Sequence, residues 1–159
     1  MTLRPLTEHD LLAVTAMLAE PSVKRWWGDR DRDKIRSELL EDEETETFAI
    51  DVEGTLVGIL LVSEQNEPDY RHAGLDISLA KEFQGQRLGR EALRVVIDHL
   101  VEERGHHRFT IDPDVENEPA IRCYTAVGFR PVGVMRGYSN VDARGWRDGL
   151  LMDLLAEDL

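Results

Sequence analysis

The sequence predicts a mixed domain, α/β or α+β in class, with a central mixed but mostly antiparallel sheet of about seven strands and four flanking helices. Three observations carry that expectation. Thr47–Val52 and Thr55–Val62 are apolar-rich runs joined by Glu53-Gly54, the mark of an antiparallel hairpin. Two helical runs, beginning near Arg90 and Asn117, each lie between strand-like segments and so read as crossovers. At 159 residues with 42% apolar content, the chain suits one domain with one sizeable core, spanning 1–159.

The elements follow in order. Thr2–Leu6 is a short strand, and Thr7 is placed to cap a helix running to about Glu20 on the apolar residues Leu11, Leu12, Val14 and Leu18. Pro21 breaks that helix, and Val23–Gly28 carries Trp26 and Trp27. A charged helix is expected over about Asp31–Glu43, then the hairpin, then a polar loop at Glu64–Arg71. Ala73–Leu79 alternates, with Leu75, Ile77 and Leu79 on one face and Gly74, Asp76 and Ser78 on the other. The next helix places Leu88, Ala92, Val95, Val96 and Leu100 at helical spacing and stops at Gly105. His107–Ile111 is a strand, Asn117–Val127 a helix ended by Gly128, and Phe129–Arg136 and Trp146–Leu155 are the last strands.

Composition narrows the function classes. Thirty-two acids against nineteen bases give a net charge of −13, which argues against a nucleic-acid backbone as partner and suits a cationic one, although solubility alone also favours an acidic surface. No apolar run approaches the ~18 residues of a membrane span, and Met1–Pro5 lacks the apolar stretch of a secretory leader, so no membrane partner is expected. The single cysteine, Cys123, has no internal disulfide partner, and the default compartment is cytoplasmic. Monomer and homodimer are both open.

Gln84-Gly85-Gln86-Arg87-Leu88-Gly89 joins a strand to a helix start, the arrangement that gathers free backbone N–H groups around an anion. Downstream lies Asp112-Pro113-Asp114-Val115-Glu116-Asn117-Glu118-Pro119-Ala120-Ile121-Arg122-Cys123-Tyr124-Thr125-Ala126-Val127-Gly128-Phe129. The element order, the turn and this second segment resemble the GNAT family of acyl-CoA-dependent N-acetyltransferases. Gln84 and Gly89 match the family's diphosphate turn, while Arg87 stands at its inner glycine, where positive φ or close phosphate approach is needed. The run Asp112–Tyr124, with Trp26-Trp27-Gly28 and Gly74-Leu75-Asp76 before Ser78-Leu79-Ala80, is similar to the aminoglycoside 6′-N-acetyltransferases and their siderophore-acylating relatives. The likeness extends from about His9 to Tyr138.

That resemblance implies a GNAT fold, acetyl-CoA as cofactor, and an acetyl group moved to a primary amine of a cationic aminoglycoside at its 6′ position, by direct attack in a ternary complex, conferring resistance. It places the CoA diphosphate at Gln84, Gly85, Gln86, Arg87, Leu88, Gly89 and Arg90, and the pantetheine arm along Ile77 and Leu79. Arg87 has two readings, a phosphate partner or a solvated side chain. Asn117 is a cofactor contact, an ordinary N-cap, or both. Tyr124 is placed at the thioester as the acid. A phenol of pKa near 10 facing a thiol near 8.5 differs by about 1.5 units, roughly 2 kcal/mol, so proton donation is feasible. Asp76 is assigned as base or substrate-orienting group and Asp112 to substrate binding; Asp112-Pro113 is also a simple turn signal.

Trp26 and Trp27 wall the acceptor pocket or serve the core. Glu38–Glu46 holds six carboxylates and no base, a solvated face or an electrostatic funnel. Cys123 lacks the base partner a nucleophile needs, and His106-His107 lacks a companion ligand set, so no metal is expected. No dinucleotide fingerprint or P-loop lysine occurs. Two alternatives stand beside the aminoglycoside reading: transfer to another amine (a polyamine, a siderophore amine or a protein N-terminus), and a non-catalytic acyl-CoA-binding module.

Overall fold

The computed structural model describes residues 1–159. Its strands are β1 (Thr2–Pro5), β2 (Thr45–Val52), β3 (Thr55–Gln65), β4 (His72–Leu79), β5 (Arg108–Ile111), β6 (Arg130–Ser139) and β7 (Arg147–Leu155). The helices are α1 (Leu11–Leu18), α2 (Pro21–Trp27), α3 (Arg32–Leu39), α4 (Leu88–Glu102) and α5 (Glu118–Val127). The seven strands form one sheet in the order β1-β2-β3-β4-β5-β7-β6. Every neighbouring pair is antiparallel except β4 and β5.

Five helices stand where four were expected. Pro21 does end α1, but it also opens α2 from its N1 position, where its missing N–H has no helical role and its fixed φ suits the first turn. Two core assignments also shift. Leu12 is 74% exposed and Val95 is 45% exposed, while Leu93 and Ile97 are fully buried, because at 100° per residue the inward stripe of α4 runs through Ala92, Leu93, Val96, Ile97 and Leu100. The charged third helix stops at Leu39, and β3 runs on to Gln65, into the segment expected to be loop.

The sheet separates two cores. Leu60 and Val62 of β3 join α4 and α5 on one face; Ile59 joins α1 to α3 on the other. β3 and β4 approach closely at Gly58, where an added Cβ would lie 2.4 Å from the Ser78 carbonyl oxygen. Near the chain start, Asp10 receives two hydrogen bonds from the Arg4 guanidinium, at 2.8 and 2.9 Å, and the Thr7 amide at 2.9 Å, which holds its carboxyl down at about 2.

The site is positioned by a failure of pairing. β4 and β5 are in register only at Ala73 with Phe109 and Gly74 with Thr110. Beyond those residues the two parallel strands diverge. Asp76 and Ile77 on β4, and Ile111 and Asp112 at the end of β5, therefore border an opening in the middle of the sheet.

Candidate active site

Two cavities meet at that opening. One, of 540 Å³, reaches toward α2, α3 and the loop after β6 and includes Asp76, Asp112, Tyr138 and Arg144 in its wall. The other, of 370 Å³, follows β4 toward the turn before α4. Trp26, Trp27, Ile77, Asn117 and Tyr124 belong to both. The structure thus brings together Tyr124, Asp76, Asp112, Asn117 and both tryptophans from segments far apart in the chain.

The smaller cavity is basic in an acidic protein. Its wall contains Arg87, Arg90 and Arg122 and no carboxylate. At its end the turn enters α4 with Gly85 at φ +76 and Arg87 at φ +68, ψ −1. Arg87 adopts the left-handed conformation that the family pattern reserves for glycine. Its own amide and those of Leu88 and Gly89 bond to no acceptor within the chain, leaving donors at the positive end of a helix of 15 residues. Gln86 and Leu88 do not line this cavity. The Gln86 side chain donates to the Glu82 carbonyl at 2.7 Å, and Leu88 packs against the main core. Along β4, the Ile77 amide donates to Asp76 Oδ1 at 2.9 Å and the Leu79 carbonyl accepts from Gln84 Nε2 at 2.9 Å. A Cβ at Gly89 would make ordinary van der Waals contact with Cys123 Sγ and Leu79 Cδ1 at 3.5 Å, so α4 packs closely on β4 and α5 there. Burial pushes the Cys123 thiol up, partly offset by Arg90.

The larger cavity has an acidic floor. Asp76 is exposed to water at the opening, yet it sits deep enough among the surrounding elements to lose part of its hydration. Loss of hydration, with the neighbouring charge of Asp112 second, raises its carboxyl to about 7. Burial raises Asp112 too, against the pull of the Tyr138 hydroxyl, which donates to Asp112 Oδ2 at 2.7 Å. That bond pushes the Tyr138 phenol up to about 12. Asp112 is therefore more than a turn residue. Tyr124 is buried, edge-on to Phe129 at 6.3 Å, and burial followed by the charge of Asp76 holds its phenol well above the ordinary value. The raised Tyr124 phenol stays protonated and can donate a hydrogen bond, while its full proton is harder to give up than the ordinary gap of about 1.5 units implies; Asp76 ionises near neutrality.

The upper walls differ from the floor. The Arg25 guanidinium lies 4.5 Å over the Trp26 ring, and that of Arg30 lies 5.8 Å over Trp27. Arg30 bonds Glu38 at 2.6 Å, and Arg147 bonds Asp114 at 2.5 Å. The acidic segment is divided: Glu38 and Asp42 face the cavity, whereas Glu46 pairs with Arg104 at 2.7 Å on the far side of β2. Asn117 does two jobs, accepting the Ala120 amide at 3.3 Å as a cap while lining both cavities. His106 is buried with Nε2 2.7 Å from Glu64 Oε2.

Sequence reasoning missed Tyr138, Arg25, Arg30, Arg144 and Arg147. Tyr138 and Arg144 come from the end of β6 and the loop behind it, where no spacing links them to Asp112. The arginines carried one available signal: Arg25 and Arg30 flank the tryptophan pair in an otherwise acidic chain.

Residues 1–130 match the acetyltransferase (GNAT) domain family, and the chain belongs to that family. It is similar to the spermidine N(1)-acetyltransferase of Escherichia coli, 26% identical over 137 residues, covering 82% of this chain and 73% of that protein. The aminoglycoside N(6′)-acetyltransferase type 1 of Klebsiella pneumoniae is 27% identical over 155 residues, covering 85% of this chain and 76% of the relative. Among solved structures, Mycobacterium smegmatis RimJ in complex with CoA-disulfide superposes with a TM-score of 0.86 at 28% identity, covering 99% of this chain and 82% of that one.

Proposed function

We propose that residues 1–159 form one acetyl-CoA-dependent N-acetyltransferase domain that moves an acetyl group to a primary amine by direct attack in a ternary complex. The observation that carries this is the meeting, at Tyr124, of a cavity lined by three arginines and no carboxylate with one floored by Asp76 and Asp112. Acetyl-CoA, when bound, supplies the activated thioester. Its phosphates suit Arg87, Arg90, Arg122 and the free amides of Arg87 to Gly89, and its arm suits the β4 edge at Ile77 and Leu79. Asp76 accepts a proton from the incoming ammonium, since only a neutral amine has a lone pair to donate. Asp112, held by Tyr138, keeps the cation at the floor. Tyr124 gives its proton, or a hydrogen bond, to the departing sulfur.

Within that chemistry, the 6′-amine of an aminoglycoside is supported by the Asp112–Tyr124 segment, by Trp26 and Trp27 in the cavity wall, and by the Klebsiella pneumoniae relative. A polyamine acceptor is supported by the Escherichia coli relative at nearly equal identity. Thiol release from acetyl-CoA, coupled to product mass, should be measured with kanamycin-type compounds carrying a 6′-amino or a 6′-hydroxy group, with spermidine, and with simple amines. Acetylated product from at least one primary amine is expected. Tight acetyl-CoA binding with no acetylated product from any amine would leave only a binding module.

A further inference from the structure

The larger cavity is nearly balanced in charge rather than acidic overall. In a chain with thirty-two acids and nineteen bases, its wall holds five acids and four arginines. Two of the acids, Glu38 and Asp114, are already committed to Arg30 and Arg147. Asp42, Asp76 and Asp112 have no arginine partner, and the last two border the opening where β4 and β5 part.

Arg25, on α2, and Arg144, in the loop after β6, line the same cavity. Arg25 forms no ion pair; it stacks over Trp26 and acts on Asp114 only through space. Arg144 ties its loop to α2, its Nη2 donating to the Arg25 backbone carbonyl at 3.4 Å, and its ion-pair partner is Asp142 at 3.3 Å on its own loop. Both side chains line the larger cavity and neither lines the smaller one, so their charge is not directed at the cofactor phosphates. One face of each tryptophan already carries a guanidinium. A ligand bearing ammonium groups along its whole length would meet the unpaired Arg25 guanidinium.

We propose that the preferred acceptor is a primary amine that also carries an anionic group, its amine seated at Asp76 and Asp112 and its anion at Arg25 and Arg144. This rests on the amine-transfer reading above and selects among acceptors. The geometry of guanidinium favours planar, two-point recognition, which a carboxylate provides.

The test uses matched acceptors: ω-amino acids of increasing chain length, 4-aminobutyrate and 6-aminohexanoate among them, each beside its own carboxamide, together with spermidine and kanamycin. In the longer pairs the amine basicity is nearly the same, so a difference reports the anion alone. The expected result is a carboxylate-over-carboxamide ratio in kcat/KM of about 10-fold to 100-fold at the best length, carried by KM. Arg25→Ala should collapse that ratio toward unity and Arg25→Lys should restore part of it, with thermal melts confirming that both variants are folded. If amines are acetylated but carboxamides or polycations match the carboxylates, or if Arg25→Ala leaves the ratio intact, the anion subsite is wrong and the transferase reading survives. If no amine is acetylated at all, both fall.

Discussion

Arg87 combines a backbone cost with a charge, and the two can be measured apart. At φ +68 and ψ −1 it sits in the left-handed region, where a Cβ crowds the carbonyl, at a penalty of about 1–2 kcal/mol for a residue other than glycine. Arg87→Gly removes the Cβ, but it also enlarges the unfolded ensemble, which offsets about 0.4–1 kcal/mol. Arg87→Ala keeps the Cβ. Both variants lose the guanidinium, so their difference isolates the backbone. The glycine variant should be the more stable by about 1 kcal/mol, or roughly 2–4 °C in melting temperature for a chain of this size. A calorimetric melt of each measures this directly. An alanine variant that melts at or above the glycine variant would refute the strain argument. Cofactor affinity is the second readout. A guanidinium bonded to phosphate is worth about 1.5 kcal/mol or more, so both variants should bind CoA about 10-fold more weakly. Calorimetric titration giving wild-type affinity for either one would assign Arg87 to solvent.

Other residues give independent tests. The acid limb of kcat/KM should fall near pH 7, because Asp76, raised to about 7, must be ionised to take a proton. Asp112→Asn should shift that limb to lower pH by removing the second cause of the raised value, and an unmoved limb would dissociate the pair. The same raised carboxyl destabilises the fold as pH climbs from 3.8 to about 7, since the folded state holds the proton more tightly than the unfolded chain. Asp76→Asn should therefore melt higher than wild type in alkaline buffer, with the gap closing at acid pH; a gap constant with pH would contradict the linkage. Tyr124→Phe should lower kcat by about 100-fold or more while KM moves little, and a change confined to KM would reassign Tyr124 to binding. Gly58→Ala should destabilise by about 1–3 kcal/mol, because the new methyl would meet the Ser78 carbonyl oxygen at 2.4 Å and force β3 from β4. A neutral melt would show that the strands can yield there.

The elements legible in the chain were those fixed by neighbours in sequence. The first helix, which starts at Leu11 after a 3-10 turn and not directly on a Thr7 cap, the Glu53-Gly54 hairpin, the amphipathic α4 and the Asn117-capped α5 all rest on contacts or hydrogen bonds within a few residues. α2 was missed because a proline that ends one helix can begin the next. Leu12 and Val95 were misplaced because apolar character was counted without its angular position on the helix. In the site, Tyr124, Asp76, Asp112 and the tryptophans were recognisable as motif residues. Tyr138 and the arginines were not, since a hydrogen bond such as Tyr138 to Asp112 has no local spacing to betray it.

By itself the sequence determined the family and most of the order of the elements, and it singled out candidate site residues, because those depend on side-chain type and short-range pattern. Only the tertiary structure decided that β4 and β5 part after two paired positions, and that divergence makes the site. It also decided where charge acts. The Asp76 carboxyl is raised to about 7 by lost hydration and the proximity of Asp112, and Arg25 is left without an ion pair because Asp114 near it is bonded to Arg147. Such effects depend on distance and desolvation through space, which a linear order of residues does not contain.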